Sequence, residues 1–193
     1  MQRTFKGVLA DGRIVPAVKH LQDLAEVLKI PWVSVIFLLG GEITGLEEAL
    51  RMSRKYPEKF IFAHLDLLEG IGKDAAGIRF LKHLGLQGVV SVKWQLLKYA
   101  KEQHMLTVQR LFLVDSEAIH TGLRVIGKVT PDALEVLPAT VPKFAIEEFR
   151  KVTDLCILGG GLLRDEADVR LALLNGLTAV TASRRDIWNL RLT

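Results

Sequence analysis

The feature that most restricts this chain is a rhythm. Short, β-branched apolar runs alternate with longer amphipathic runs from one end to the other, with no proline-rich or serine-rich linker between them. Parallel strands need a crossover of helix length between them, so this alternation signals βαβ units. Eight runs read as strands, at 14–18, 32–39, 60–65, 88–92, 106–112, 133–137, 155–158 and 178–181. Helical periodicity fits at 20–29, 46–55, 75–83, 94–102, 117–127, 143–152, 166–174 and 185–190. Asp165 is placed to cap the helix at 166–174 and Asn175-Gly176 to end it, while Pro142 marks another helix start. Eight units is the number that closes a small (β/α)8 TIM-type barrel, with short loops because 193 residues falls just under the usual length. The whole chain, 1–193, is expected to be a single barrel domain; an open doubly wound sheet is the alternative and more often uses fewer units.

Composition agrees. With 49% hydrophobic residues and a mean hydropathy of +0.25, the chain has enough apolar side chain for a sizeable core, which excludes disorder as its main state. The longest near-apolar run, 32–39, is far short of the roughly 20 residues that span a bilayer. Arg3, Lys6, Asp11 and Arg13 stand where a secretory signal would be apolar, so a chain that is neither exported nor held by a membrane is expected. The single cysteine, Cys156, forms no internal disulfide, suits a reducing cytoplasm and reads as a small buried hydrophobe. Net charge is +4, and the surplus lies in the first hundred residues, with 14 Lys and Arg against 10 acidic residues. That permits nucleic-acid binding without requiring it.

In such a barrel, ligands meet the C-terminal ends of the strands. Gly159-Gly160-Gly161 closes the seventh strand, and Thr181-Ala182-Ser183 closes the eighth. Loops in these two positions often give backbone N–H groups to a phosphate, and glycine allows the close approach; a plain tight turn is the alternative. The candidate phosphate ligands are therefore Gly159, Gly160, Gly161, Ala182 and Ser183. His64 and Asp66 close the third strand, and strand alternation points both into the mouth. They are suited to positioning a hydroxyl, to acid–base work or to sharing a metal, though two ligands are too few to assign a metal site. A histidine satisfied by its neighbouring carboxylate is the structural alternative. Glu135 is an acid inside an apolar strand and needs a cation or ligand hydroxyls; Lys93 and Arg110 are the nearby candidates. Arg184 and Arg185 open the last helix beside the anion loop; an exposed helical pair is the alternative.

These motifs, taken in order, resemble the glycerol-3-phosphate-responsive antiterminator family. The resemblance rests on His64-Leu65-Asp66-Leu67 with Gly70-Ile71, Gln109 to Leu113 with Asp115-Ser116, Glu135-Val136-Leu137-Pro138 with Val141-Pro142, and Gly159-Gly160-Gly161 with Arg164 and Asp168-Val169. It implies a small barrel that binds glycerol 3-phosphate as its effector, needs no cofactor, and acts when loaded on leader mRNA of glycerol-uptake genes to prevent premature transcription termination. It implies a regulator without catalytic residues, with Arg184 and Arg185 as the candidate RNA contacts. Three positions depart from the family's pattern: Val92-Lys93 replaces a common Thr-Arg pair, Ala139 a frequent glycine, and Arg184 a usual asparagine. A lysine at 93 keeps the charge and loses the planar fork of arginine. The competing reading is a barrel enzyme on a small phosphorylated substrate, such as a phosphodiesterase, aldolase or isomerase, using His64, Asp66 and Glu135.

Overall fold

The computed structural model describes residues 4–10 and 12–192. Its strands are β1 (Ile14–Val18), β2 (Val35–Leu38), β3 (Gly41–Glu42), β4 (Phe60–His64), β5 (Leu68–Glu69), β6 (Gly88–Ser91), β7 (Leu106–Phe112), β8 (Ala133–Leu137), β9 (Cys156–Gly160) and β10 (Ala179–Ala182). All but β3 and β5 close into one all-parallel barrel in the order β1-β10-β9-β8-β7-β6-β4-β2. The chain is thus a small (β/α)8 barrel. The helices are α1 (Phe5–Leu9), α2 (Leu21–Val27), α3 (Ile43–Ser53), α4 (Ala75–His83), α5 (Trp94–Glu102), α6 (Ser116–Val129), α7 (Lys143–Arg150), α8 (Glu166–Leu174) and α9 (Arg185–Trp188).

Strand periodicity of two sorts the side chains into two buried layers, which is why the strands read as nearly continuous apolar runs. Val15, Phe37, Phe62, Val90, Val108 and Leu158 belong to the interior cluster, whereas Ile36, Ile61, Val89, Leu134, Ile157 and Val180 pack with the helices. Phe62 dominates the interior, with its ring centroid 5.5 Å from those of both Phe5 and Phe37. Gly88 lies beside it in register, and a Cβ at that position would collide with the Phe62 ring. Helix α1 closes the end where the strands begin, inserting Phe5, Val8 and Leu9 into the interior. A run of five residues carries too little periodicity to be read from sequence.

At the other end, helix N-termini are capped by side chains that accept from backbone amides: Asp74 from Gly77 at 2.8 Å, Asp115 from Ala118 at 2.8 Å and Asp165 from Asp168 at 3.0 Å. Helices α4 and α8 end in Schellman turns with Gly85 (φ +95°) and Gly176 (φ +102°) in the left-handed position. Helix α5 ends in the same turn, with Met105 N donating to Ala100 O and His104 N to Lys101 O, but there His104 holds the glycine position at φ +55°.

Several boundaries move. The strand expected at 32–39 starts at Val35, because Val33 belongs to a turn closed on Ile30 and Trp32 is exposed. The strand expected to reach 65 stops at His64, where Leu65–Leu67 makes a 3₁₀ turn. The strand expected at 155–158 runs on to Gly160. Cys156 is buried in the interior, and burial raises its thiol pKa. Among the described residues, no helix is long and apolar enough to cross a membrane.

Candidate ligand site at the barrel mouth

One step above the apolar interior, the inward positions become polar. β7 and β8 place Arg110 beside Glu135 in register, and β9 and β10 place Gly160 beside Thr181. Glu135 is 1% exposed. Its Oε2 accepts from Arg110 Nε at 2.7 Å and its Oε1 from the Thr181 hydroxyl at 2.6 Å. The acid read in an apolar strand therefore has the partners its burial requires. A Cβ on Gly160 would collide with Thr181 Oγ1 and come within 2.9 Å of Glu135 Oε1, so glycine here makes room for the pair. Arg110 commits only Nε; among the described residues none accepts from its two Nη groups.

The facing side is built differently. His64 is buried, and its Nδ1 lies 3.6 Å from Asp66 Oδ2, beyond a hydrogen bond. Burial first, and the positive charge of Arg110 second, lower the His64 pKa to about 4 against the opposing pull of Asp66, so the ring is neutral at pH 7. Asp66 Oδ2 accepts from Val92 N at 3.0 Å, and Lys73 Nζ donates to the Asp66 carbonyl at 2.6 Å. His64 Nδ1, Asp66 Oδ1 and Gln109 Oε1 are buried, and among the described residues none hydrogen-bonds to them. Such groups are rare in folded proteins and point to a ligand or a water. His64 and Asp66 do meet, but not through strand alternation, since the chain has already turned between them.

The loops after β9 and β10 offer donors. Gly161 (φ +78°) and Leu162 (φ +59°) are consecutive left-handed residues, and the Gly161 carbonyl accepts from Ala139 N at 3.3 Å. Among the described residues, none accepts from the backbone amides of Gly161, Leu162, Ser183 or Arg184. Successive free amides make a donor group of the kind that suits an anion. Gly159 and Ala182 are not part of it. A Cβ on Gly159 would run into Leu177, and Ala182 packs among the helices while its carbonyl accepts from Trp188 Nε1 at 2.6 Å.

Three expected cations are exposed or already paired. Lys93 is the exposed N-cap of α5; its backbone amide donates to Ser91 Oγ at 3.0 Å, and Glu135 is engaged by Arg110 instead. Arg184 is tied to Asp186 at 2.6 Å, and Arg185 pairs with Asp23 and, at 3.8 Å, with Glu26. Neither arginine is an unpaired charge. Thr181, Lys73 and the Leu162 amide were not singled out as ligand candidates from sequence. Only Thr181 left a signal there, as an inward position of the last strand.

A family model for glycerol-3-phosphate responsive antiterminators matches residues 14–188. The chain belongs to that family. This antiterminator-family chain is 30% identical over 189 residues to the uncharacterized protein YgcP of Escherichia coli K12, a match covering 95% of each. It is similar to the solved glycerol uptake operon antiterminator regulatory protein of Listeria monocytogenes, with 26% identity, a TM-score of 0.86 and coverage of 99% and 100%. A glycerol uptake operon antiterminator-related protein of Thermotoga maritima matches at 27% identity and TM-score 0.79, covering 92% of this chain and 98% of that one. The orotidine 5'-phosphate decarboxylase of Pyrococcus horikoshii, 18% identical with a TM-score of 0.66 over 92% and 91% of the chains, shares the barrel fold alone. Membership places this antiterminator-family chain in transcription regulation and glycerol metabolism.

Proposed function

We propose that the mouth binds glycerol 3-phosphate, and that the loaded chain binds leader mRNA of glycerol-uptake genes in the cytoplasm and prevents premature termination. The observation that carries this reading is the convergence at one end of the barrel of free backbone donors and unpartnered buried side-chain atoms. The phosphate rests on the amides of Gly161, Leu162 and Ser183, with the free Nη groups of Arg110 turned toward its charge. The glycerol hydroxyls satisfy His64 Nδ1 and Asp66 Oδ1. Glu135 and Thr181 hold the Arg110 guanidinium in place, and the reading assigns the mouth no reaction.

Ligand and RNA affinities are then coupled, by about 1–3 kcal/mol in typical cases, and each raises the other equally. Titrating glycerol 3-phosphate against the protein, with and without the leader RNA of the chain's own operon, tests this. The expected result is an RNA affinity raised roughly 5- to 150-fold by the ligand. An RNA affinity indifferent to the ligand removes the antiterminator reading for this chain.

A further inference from the structure

At the end of the barrel where the strands begin, an open cleft of about 500 Å³ lies between the C-terminal turns of α4 and α5. Its walls carry Lys82, Lys101, His104, Gln87 and Asp132, and its floor is Phe60, Met105 and Leu106. From this cleft we infer the RNA surface: it seats a single-stranded segment of the transcript, phosphates on the cations and an unstacked base over the apolar floor. The inference rests on the proposed function and locates its RNA partner.

Four observations support it. First, the basic side chains here are available. Lys82 and His104 are exposed, and among the described residues no carboxylate pairs with either; Arg54 and Lys55, in the turn feeding β4, are also exposed and unpaired. Lys101 is the exception, donating to Thr130 O at 2.6 Å and lying 3.7 Å from Asp132. Asp132, just ahead of β8, is itself occupied by the Thr107 amide and hydroxyl at 2.8 and 2.7 Å, and α5 adds Glu102 near this end.

Second, His104 occupies a left-handed position that glycine fills at the ends of α4 and α8. A side chain kept where its backbone is strained points to a role for that side chain. Third, Gln87 uses its carbonyl oxygen to accept from Ile61 N at 3.0 Å, which leaves its amide nitrogen as a donor for a base edge or phosphate. Fourth, the cleft lining carries Lys82, Lys101 and His104 against one acid, Asp132, which is already occupied. Basic side chains combined with a flat apolar floor are what single-stranded RNA uses, whereas an acidic protein surface would need only the charges.

The test uses the full chain, Lys82→Glu and His104→Gly singly and together, and Arg184→Glu as a mouth control. The readouts are anisotropy of fluorescein-labelled oligouridylate and of the leader transcript across a salt series, and calorimetric titration of glycerol 3-phosphate. His104→Gly relieves the left-handed strain, so it reports on the side chain without unfolding the barrel. The double variant is expected to lose at least tenfold in RNA affinity, to show a salt slope shallower by about one unit for each RNA phosphate it no longer neutralises, and to keep its glycerol 3-phosphate affinity. Arg184→Glu is expected to leave RNA affinity unchanged at saturating glycerol 3-phosphate. Full RNA affinity in the double variant, or weakening confined to Arg184→Glu, overturns the cleft while the proposed function stands. No RNA binding by the wild type overturns both. Failure of antitermination in the double variant with RNA affinity intact overturns the cleft in favour of an acidic protein partner.

Discussion

At the mouth, Arg110, Arg164, Arg184 and Arg185 each face a carboxylate, while at the opposite end Lys82, His104, Arg54 and Lys55 face none. Under the proposed function, the contrast matches two kinds of anion. A small dianion is bound by a few donors fixed in place, and paired arginines such as Arg110 are held still by their carboxylates and spend no surplus charge. A flexible polyanion gains from solvated charges that release its counterions, and needs no single rigid arrangement. The helices contribute to this polarity, since their N-termini, capped by Asp74, Asp115 and Asp165, point to the mouth, and the basic last turns of α4 and α6 point to the other end.

The largest effect is expected at the mouth's buried pair. Glu135→Leu leaves the Arg110 guanidinium, 11% exposed in its side chain, without its partner, and a loss of about 3–5 kcal/mol is expected in urea unfolding. Adding Arg110→Met should restore most of that stability and none of the glycerol 3-phosphate binding. No comparable loss is expected for Lys82→Glu at the other end, because Lys82 is exposed.

His64 gives the mouth a pH signature. Its folded pKa of about 4 lies below the usual histidine value of 6.5, so protonation favours the unfolded chain. The contribution is complete above pH 6.5, falls as the pH drops through that value, and levels off below about 4, a change of about 3 kcal/mol. His64→Gln should flatten that part of the urea stability profile, and an unchanged profile would show that His64 is not held neutral. Gly88→Ala, which drives a Cβ into Phe62, should cost about 1–3 kcal/mol without altering charge at either end. The smallest change is a gain: His104→Gly should raise stability by about 1 kcal/mol, read as a higher urea midpoint.

Much of the barrel could be read from the chain because each strand is buried on both faces. Ile14–Val18, Leu106–Phe112 and Ala133–Leu137 have the boundaries their apolar runs suggest, and α8 has those set by Asp165 and Gly176. Trp32 and Val33 extended the second run misleadingly, since apolar residues also pack in the turns below a barrel. The β3–β5 ribbon, two residues a side, leaves no periodicity to find. Within the mouth, Glu135 with Arg110 was legible because an acid in an apolar strand demands a cation. Lys93 was not, because sequence proximity to a strand end does not show that α5 begins there and carries the side chain outward. Gly159 illustrates the same limit: of three adjacent glycines, one serves helix packing, one the Glu135 pair and one the turn.

Calorimetric titration of glycerol 3-phosphate against the wild type and Ser183→Asp measures the mouth most directly. Ser183 is exposed, so the variant folds, and its carboxylate stands beside the free amides assigned to the phosphate. Saturable binding by the wild type and at least tenfold weaker binding by Ser183→Asp is the predicted result. Equal affinity in the two proteins would place the phosphate elsewhere and contradict the account.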